Sequence, residues 1–446
     1  MSKIVTLNNS LQNENPRKWM SLYDYDETSI TEVGFYSGDI TLPYQGAALF
    51  SPDGKYVFVS GAAHSNDFDN PLVEGQDSAF LFKLNGNEFE LLDSYSPIPG
   101  TYCASINARW SRSGKYIGVS YTSNVNTSLV LLKVENDKLV EVRRAFSGGL
   151  ARKCDFSADD RFIIYGSAFP QNLHVYRRTE NGLLRNVNNY RIGRGMAGTS
   201  TLNHDDSKLL VTVFSNTNDF NALFLCRFNK FNGNITELDS IPINDYAWEA
   251  QFSPDGKYAL VVSRSNPRIT VVEVKDDSFG NITYSGNLSN RAMGISIDAD
   301  NNVFVSIRAA SVAIHYFKLQ SDGTLKEIDT APGLAGGPHI VSVDVLNKPA
   351  PTIDDDRIIL DMIADDKIKL YSYNEDCCMM EGLNNIKQST NQCIYLHEPR
   401  TGISRPVKLC EFDDTDLYDY YIYVFLGDST RPSRISAKFL WLFQLN

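Results

Sequence analysis

Seven positions spread along the chain could be gathered into one ring and act together. Aligned on Phe50, Trp110, Phe156, Leu202, Phe252, Ile297 and Val343, the column four residues upstream reads Gly46, Ile106, Arg152, Gly198, Trp248, Met293 and His339. Arg and Trp are the residue types that dominate contact energy once desolvated, and His titrates near neutral pH. Arg152, Trp248, Met293 and His339 are therefore the candidate binding residues, the column members with reach. The column contains no carboxylate, so the paired acid and base that hydrolysis requires are not in it. No catalytic residue is assigned on this basis. The chain also lacks a Walker loop, a G-x-G-x-x-G turn and a G-x-S-x-G nucleophile elbow, which leaves no cofactor to expect.

Other reactive side chains have plainer readings. His174 and His315 share one strand column with Phe80, Val130, Phe224 and Thr270. A slot filled by Phe or His is a packing slot. His204 falls in a turn and should face solvent, while His64 and His397 have no partner at a metal-like spacing. Acidic runs such as SNDFDN (65–70), DADNN (298–302) and EFDDTDLYDY (411–420) lack the twelve-residue layout of a calcium loop. No metal site is expected. The cysteines, seven in number, include the vicinal pair Cys377-Cys378 but no C-x-x-C, which fits reduced thiols better than zinc.

The elements that must position the column are written into a repeated phrase. FSPDGKYVFVS from Phe50 returns as FSPDGKYALVV from Phe252, and in weaker form from Trp110, Phe156, Leu202, Ile297 and Ile353. Marked at Lys55 and its equivalents, the copies fall at 55, 115, 161, 208, 257, 302 and 357, in steps of 45 to 60 residues. Pro presets φ, Asp bonds its own backbone and Gly accepts positive φ, so Pro-Asp-Gly between apolar runs is a hairpin turn. After each copy comes an apolar strand, a polar turn and a more polar strand, as in LHVYRRTENGLLRNV (173–187). Two hairpins per period make a four-stranded blade, and the period predicts an all-β propeller. Seven turn phrases predict seven blades; SLYDYDETSITEVGFYS (21–37) could supply an eighth, or complete the last blade. The expected organisation is an extended N-terminal arm over 1–20, dispensable to the ring, a propeller over 21–375, and a β-rich appendage over 376–446.

Bulk properties narrow the partners. The chain has 446 residues, 42% hydrophobic and 22% charged, enough for a large core. A net charge of −12 argues against nucleic acid as a partner. No apolar run is long enough to span a membrane, and the N-terminal residues lack the apolar core of a signal peptide.

FSPDGKY followed by a β-run, then the hxhYxxxxxGxLxxh pattern of 173–187 and 313–329, resembles WD40-like and lactonase-like (YVTN-type) propeller repeats, including those of bacteriophage tail-associated proteins. The resemblance covers roughly residues 21–375 and implies the fold far more than an activity. GGPHI (336–340) is similar to the lactonase Gly-Pro-Arg-His stretch but lacks its Arg. Taken with the absent carboxylates, this favours a non-enzymatic interaction propeller: a virion component, tail or tail-fibre associated, that binds other virion proteins or a host surface glycan or receptor. Oligomerisation would suit that role. The alternatives are a lactonase-like hydrolase of a sugar lactone and an intracellular bacterial scaffolding propeller. The expected location is the virion for a phage-encoded chain and the cytoplasm otherwise.

Overall fold

The structure is a computed structural model. It describes residues 2–9, 18–38, 45–62, 79–96, 103–123, 127–147, 151–167, 173–178, 183–193, 195–214, 221–230, 232–243, 246–308, 312–332 and 339–348, with six short strands between 371 and 436. Two compact units divide it, Met1–Thr352 and Ile353–Asn446. The first unit is an all-β propeller of seven four-stranded antiparallel blades, and no helix occurs among the described residues. Blades 2 to 7 run in chain order over 45–95, 103–147, 151–190, 196–242, 247–286 and 292–331.

The repeated phrase is explained by its hydrogen bonds. Gly54, Gly114, Asp160, Asp206, Gly256 and Asn301 occupy equivalent turn positions, and all have positive φ, between 59° and 75°. Gly takes this conformation freely, and Asp and Asn are the side chains that tolerate it best. Three residues earlier stands Ser, Asn or Asp, whose side chain accepts the amide that begins the next strand. Ser51 Oγ takes Tyr56 N–H at 2.9 Å, Ser253 Oγ takes Tyr258 N–H at 3.0 Å, and Asp298 Oδ1 takes Asn302 N–H at 2.7 Å. The degenerate copies therefore keep the bonding and lose only the letters. DADNN is such a turn.

Blades stack face on face, so their middle strands are buried on both sides. Phe162–Ser167 is buried throughout. One inter-blade cluster joins Phe162, Ile164, Leu173 and Val175 of blade 4 to Leu209, Val211, Val213 and Phe224 of blade 5. Each such side chain contributes roughly 1.5–3 kcal/mol by leaving water. The outermost strands alternate exposed and half-buried residues. Each carries one extra residue opposite the third strand: Val33, Leu92, Val142, Val187, Leu238, Thr283 and Ile328. A bulge at every rim twists the free edge away from further pairing. Next to it, Asp93, Asp239 and Asp329 reach across to Leu139 N–H, Phe279 N–H and Ile30 N–H of the following blade, at 2.8–3.0 Å.

Blade 1 closes the ring. Its innermost strand is His339–Val345, which pairs with Ser2–Asn9; Met20–Tyr25 and Ile30–Tyr36 complete the sheet. The hairpin over 21–37 thus completes a blade and adds no eighth. The expected arm over 1–20 is corrected: Ser2–Asn9 is the second strand of this blade, with Ile4, Val5 and Leu7 wholly buried. Its alternation of apolar and small polar residues, KIVTLN, is that of a buried strand, but no turn phrase precedes it to place it in a hairpin. The same closure explains the six turns: the first two strands of blade 1 come from opposite ends of the first unit and need none between them. The seventh phrase, from Ile353, lies outside the described residues.

In the second unit, Tyr371–Asn374 pairs with Met379–Gly382. A separate sheet has the order Ser404–Pro406, Ile394–His397, Tyr421–Val424, Ser433–Ser436. The apolar run at 438–445 lies outside the described residues.

Two stability outcomes follow from the closure. Ile4→Ala is expected to cost about 2–5 kcal/mol in chemical denaturation, the usual price of a cavity at a fully buried aliphatic site. Removing residues 1–9 should lower the melting temperature sharply by circular dichroism; a melt equal to that of the full chain would show that Ser2–Asn9 does not close the ring.

Candidate functional site

The seven innermost strands are Gln45–Phe50, Cys103–Trp110, Ala151–Phe156, Met196–Leu202, Ala247–Phe252, Ala292–Ile297 and His339–Val345. Hydrogen bonding sets their alignment. Ser51 N–H donates to Tyr56 O at 2.9 Å, and its counterpart in the closing blade is Leu346 N–H to Lys3 O at 3.0 Å. Val345 is thus the equivalent of Phe50, two residues beyond the Val343 used for the sequence column. Val341 takes the column position, and His339 moves to the start of its strand.

Of the four candidate binding residues, the structure brings Trp248 and Met293 together at one mouth of the central channel, both half-buried. The Trp248 ring lies over Phe214, centroids 6.4 Å apart and 26° between planes. Arg152 and His339 belong to strands of the same ring, but their side chains lie outside the described residues. The packing reading of the strand histidines holds: His174 stacks on Tyr165 at 4.9 Å and bonds Ser167 and Asn189, while His315 stacks on Phe317 at 5.8 Å.

The channel wall comes from two other columns. One residue before Phe50 and its equivalents stand Leu49, Arg109, Asp155, Thr201, Gln251, Ser296 and Asp344. Their polar groups bond from blade to blade. Phe50 N–H donates to Asp344 at 2.9 Å, Leu202 N–H to Asp155 at 2.8 Å, and Val345 N–H to Ser296 Oγ at 3.2 Å. Thr201 and Gln251 donate to Ala250 O at 2.8 Å and Ile295 O at 2.7 Å. Trp110 Nε1 donates to Leu49 O at 3.2 Å, and Arg109 Nε meets Asp155 at 3.4 Å. Every junction in the ring is bridged.

Two residues further up the strands lies the second column, where Lys153 of blade 4 and Glu249 of blade 6 form an ion pair, each side chain about nine-tenths buried. Glu249 Oε1 accepts this bond and a second from Gln251 Nε2 at 3.2 Å. Glu249 Oε2 carries no hydrogen bond among the described residues and faces Gly294, where a Cβ would stand 3.5 Å away. With Arg109, Asn107 and Ser342 these groups enclose a cavity of about 70 Å³ beneath Trp248 and Met293. Burial acts to lower the Arg109 pKa, but the carboxylates of Asp155, Asp344 and Glu249 outweigh it and hold the guanidinium above its ordinary value. Its terminal nitrogens make no hydrogen bond among the described residues. Cys154, beside Lys153, is inert: burial pushes its thiol up to about 12.

The channel therefore does contain carboxylates, which the column four residues upstream did not reveal. The signal was present: Lys153 and Asp155 in ARKCDF, and Glu249 and Gln251 in AWEAQF, put polar groups on one face of otherwise apolar strands. A step of two along the strand reads that face, and the chosen column falls within a bulge, since strand registers shift between Ala151 and Cys154 and between Ala247 and Glu249.

No family model and no curated protein matches the chain by sequence. Solved structures do. A proposed 6-phosphogluconolactonase from Bacteroides uniformis superposes with a TM-score of 0.62 at 12% identity, over 77% of this chain and 99% of the other. A periplasmic gluconolactonase from Pseudomonas aeruginosa gives 0.60 at 13%, over 78% and 99%. A functionally unknown protein from Desulfotomaculum acetoxidans gives 0.59 at 11%, over 78% and 100%. At these identities the likeness establishes the propeller fold. It also corrects the expectation of a non-enzymatic chain, because propellers named as lactone hydrolases stand among its structural neighbours and the missing carboxylates are in the channel. The virion reading finds no support among these matches.

The ion pair can be tested by stability. Lys153→Met alone leaves Glu249 buried and unpaired and should cost about 3–5 kcal/mol, while Lys153→Met with Glu249→Gln should recover most of that loss. Equal losses from single and double variants in urea titrations would mean the pair is not coupled. Alkylation followed by peptide mass mapping should label Cys154 only after denaturation.

Proposed function

We propose that the chain is a lactonase-like hydrolase that opens a sugar lactone in the propeller channel. The observation that carries this reading is Glu249: one carboxylate oxygen is held by Lys153 and Gln251, and the other faces a cavity of about 70 Å³ shared with the end of Arg109, which makes no hydrogen bond among the described residues. The structural likeness to lactonases supports it.

The chemistry needs only these groups. Glu249 takes a proton from a water as its oxygen attacks the lactone carbonyl carbon. Negative charge gathers on the carbonyl oxygen, where the Arg109 guanidinium stabilises it in a site of low dielectric. The ring C–O bond breaks, the leaving oxygen recovers the proton from Glu249, and the product is the open-chain hydroxy acid. Trp248 and Met293 offer an apolar wall to the sugar ring at the entrance. Asp155 and Asp344 instead hold the ring together, each accepting a backbone amide of the next blade.

Purified full-length chain should hydrolyse glucono-δ-lactone or its 6-phosphate above the spontaneous rate in a pH-stat assay. Glu249→Gln should lower kcat by about 10²–10⁴-fold, the contribution of a positioned general base, with the fold retained. Absence of turnover on both lactones, or full activity in Glu249→Gln, would overturn the reading.

A further inference from the structure

The opposite end of the channel opens into a second and larger cavity, about 310 Å³, at the side of the Ser-Pro-Asp-Gly turns. Its charged lining is Arg109, Arg112 and Lys348, with the His204 ring beside them and no carboxylate. In a chain of net charge −12 this is a local inversion of sign. The acids that balance these cations stand behind the wall, outside the cavity lining. Asp155 and Asp206 are buried there, 3.7 Å and 3.5 Å from the Arg112 guanidinium, and also accept Leu202 N–H at 2.8 Å and Ala158 N–H at 2.7 Å. Asp344 faces the first cavity.

The cations are fixed in place but keep donors to spare. Arg112 is pinned by bonds to Asn203 O at 2.9 Å and Leu202 O at 3.0 Å. Lys348 Nζ spends one N–H on Asp344 at 2.7 Å, which leaves two of its three donors. Arg109 presents terminal nitrogens that bond to nothing among the described residues. Around them the wall is apolar, with Pro52, Trp110, Phe252, Pro254 and Leu346. A cationic floor in an apolar cup of this size fits an anionic head carrying a compact apolar body, and a guanidinium with an ammonium suits a dianionic head of tetrahedral oxygens.

We propose that this turn-side cavity is a binding site for a small organic phosphate monoester, its head held by Arg109, Lys348 and His204 and its body packed against the apolar wall. Arg109 and Gln251 line both cavities. A ligand here would therefore engage the same guanidinium that faces Glu249, and so compete with events at the other mouth. Binding itself does not depend on the hydrolase reading, and the test uses no turnover.

Phenyl phosphate is the probe, titrated into the full-length chain by calorimetry at low ionic strength, with phenol and inorganic phosphate as its two halves. Phenyl phosphate should bind about tenfold or more tightly than inorganic phosphate, and phenol should give no heat. His204→Glu puts a carboxylate into the wall at a half-exposed position, and should weaken phenyl phosphate about tenfold or more without changing the melt. Lys348→Met should weaken it comparably; if that variant fails to fold, His204→Glu carries the test. Trp248→Ala, at the other mouth, should leave the affinity within about twofold. No binding at millimolar phenyl phosphate, undiminished binding by His204→Glu, or loss of binding in Trp248→Ala would each overturn the proposal.

Discussion

A propeller stands or falls on closing its ring, and here closure requires strands from distant parts of the sequence. Ser2–Asn9 lies between His339–Val345 and Met20–Tyr25, joined to both by antiparallel ladders. No covalent turn holds the first pair together, so the seam relies on burial and bonding. Ile4, Tyr25, Phe304, Tyr316 and Val345 pack across it, and Tyr25 Oη donates to Asp298 at 2.7 Å. Burial and that carboxylate together raise the phenol pKa, so the hydroxyl remains a donor at any ordinary pH. The polar ring around the channel extends the same logic to every junction. Blade stacking supplies most of the apolar burial, but apolar faces slide; directional bonds between innermost strands fix the rotation of each blade against the next.

That constraint divides the channel's charges by availability. A buried carboxylate must be bonded or paired, and the ring meets this for Asp155 and Asp344 by giving each a backbone amide from the neighbouring blade. Arg109, which spans the channel, is held by the summed field of three carboxylates rather than by a close bond to any one. Glu249 is different again, held by the Lys153 and Gln251 side chains rather than by a backbone amide. The residues that build the ring and those left for chemistry therefore alternate along the same strands. A channel wall whose innermost strands slipped by one residue would have turned its charges to the other face of the sheet.

The fold was legible because the turn phrase has a physical reason at each letter. Ser or its amide and carboxylate substitutes bond the incoming strand, and the positive-φ position admits Gly, Asp or Asn, so even LNHDDSKLLVT could be recognised. Ser2–Asn9 was hidden because a closing strand has no turn on its N-terminal side, and its neighbours in space are distant in sequence. The site was harder for a local reason. Innermost strands contain a bulge near their start, at Ala151 to Cys154 and again at Ala247 to Glu249, and an upstream count that crosses it changes face. Trp248 and Met293 were reached by that count; Arg109, Lys153 and Glu249 were not. The closing blade added a shift of two residues, because Val343 and Val345 look alike in sequence and only the bond from Leu346 to Lys3 separates them.

The balance of charge along the channel has a consequence for what it can admit. Three cations and three acids of the two columns and their flanks, Arg109, Lys153, Lys348, Asp155, Glu249 and Asp344, cancel in formal charge, yet they do not cancel in place. Asp155 and Asp344 accept from backbone amides and so lie against the strands, Glu249 accepts from the Lys153 and Gln251 side chains, and the guanidinium and ammonium groups end long side chains. An ion entering on the turn side meets Arg109, Arg112 and Lys348, whereas one entering beside Trp248 and Met293 meets Glu249 and Asp344 together with Arg109 and Lys153. An acidic exterior would slow the approach of an anion at low salt, but once inside, the anion finds donors already oriented and already desolvated. The ring that closes the propeller has first claim on Asp155 and Asp344, and this leaves the cations as the less committed charges on the turn side.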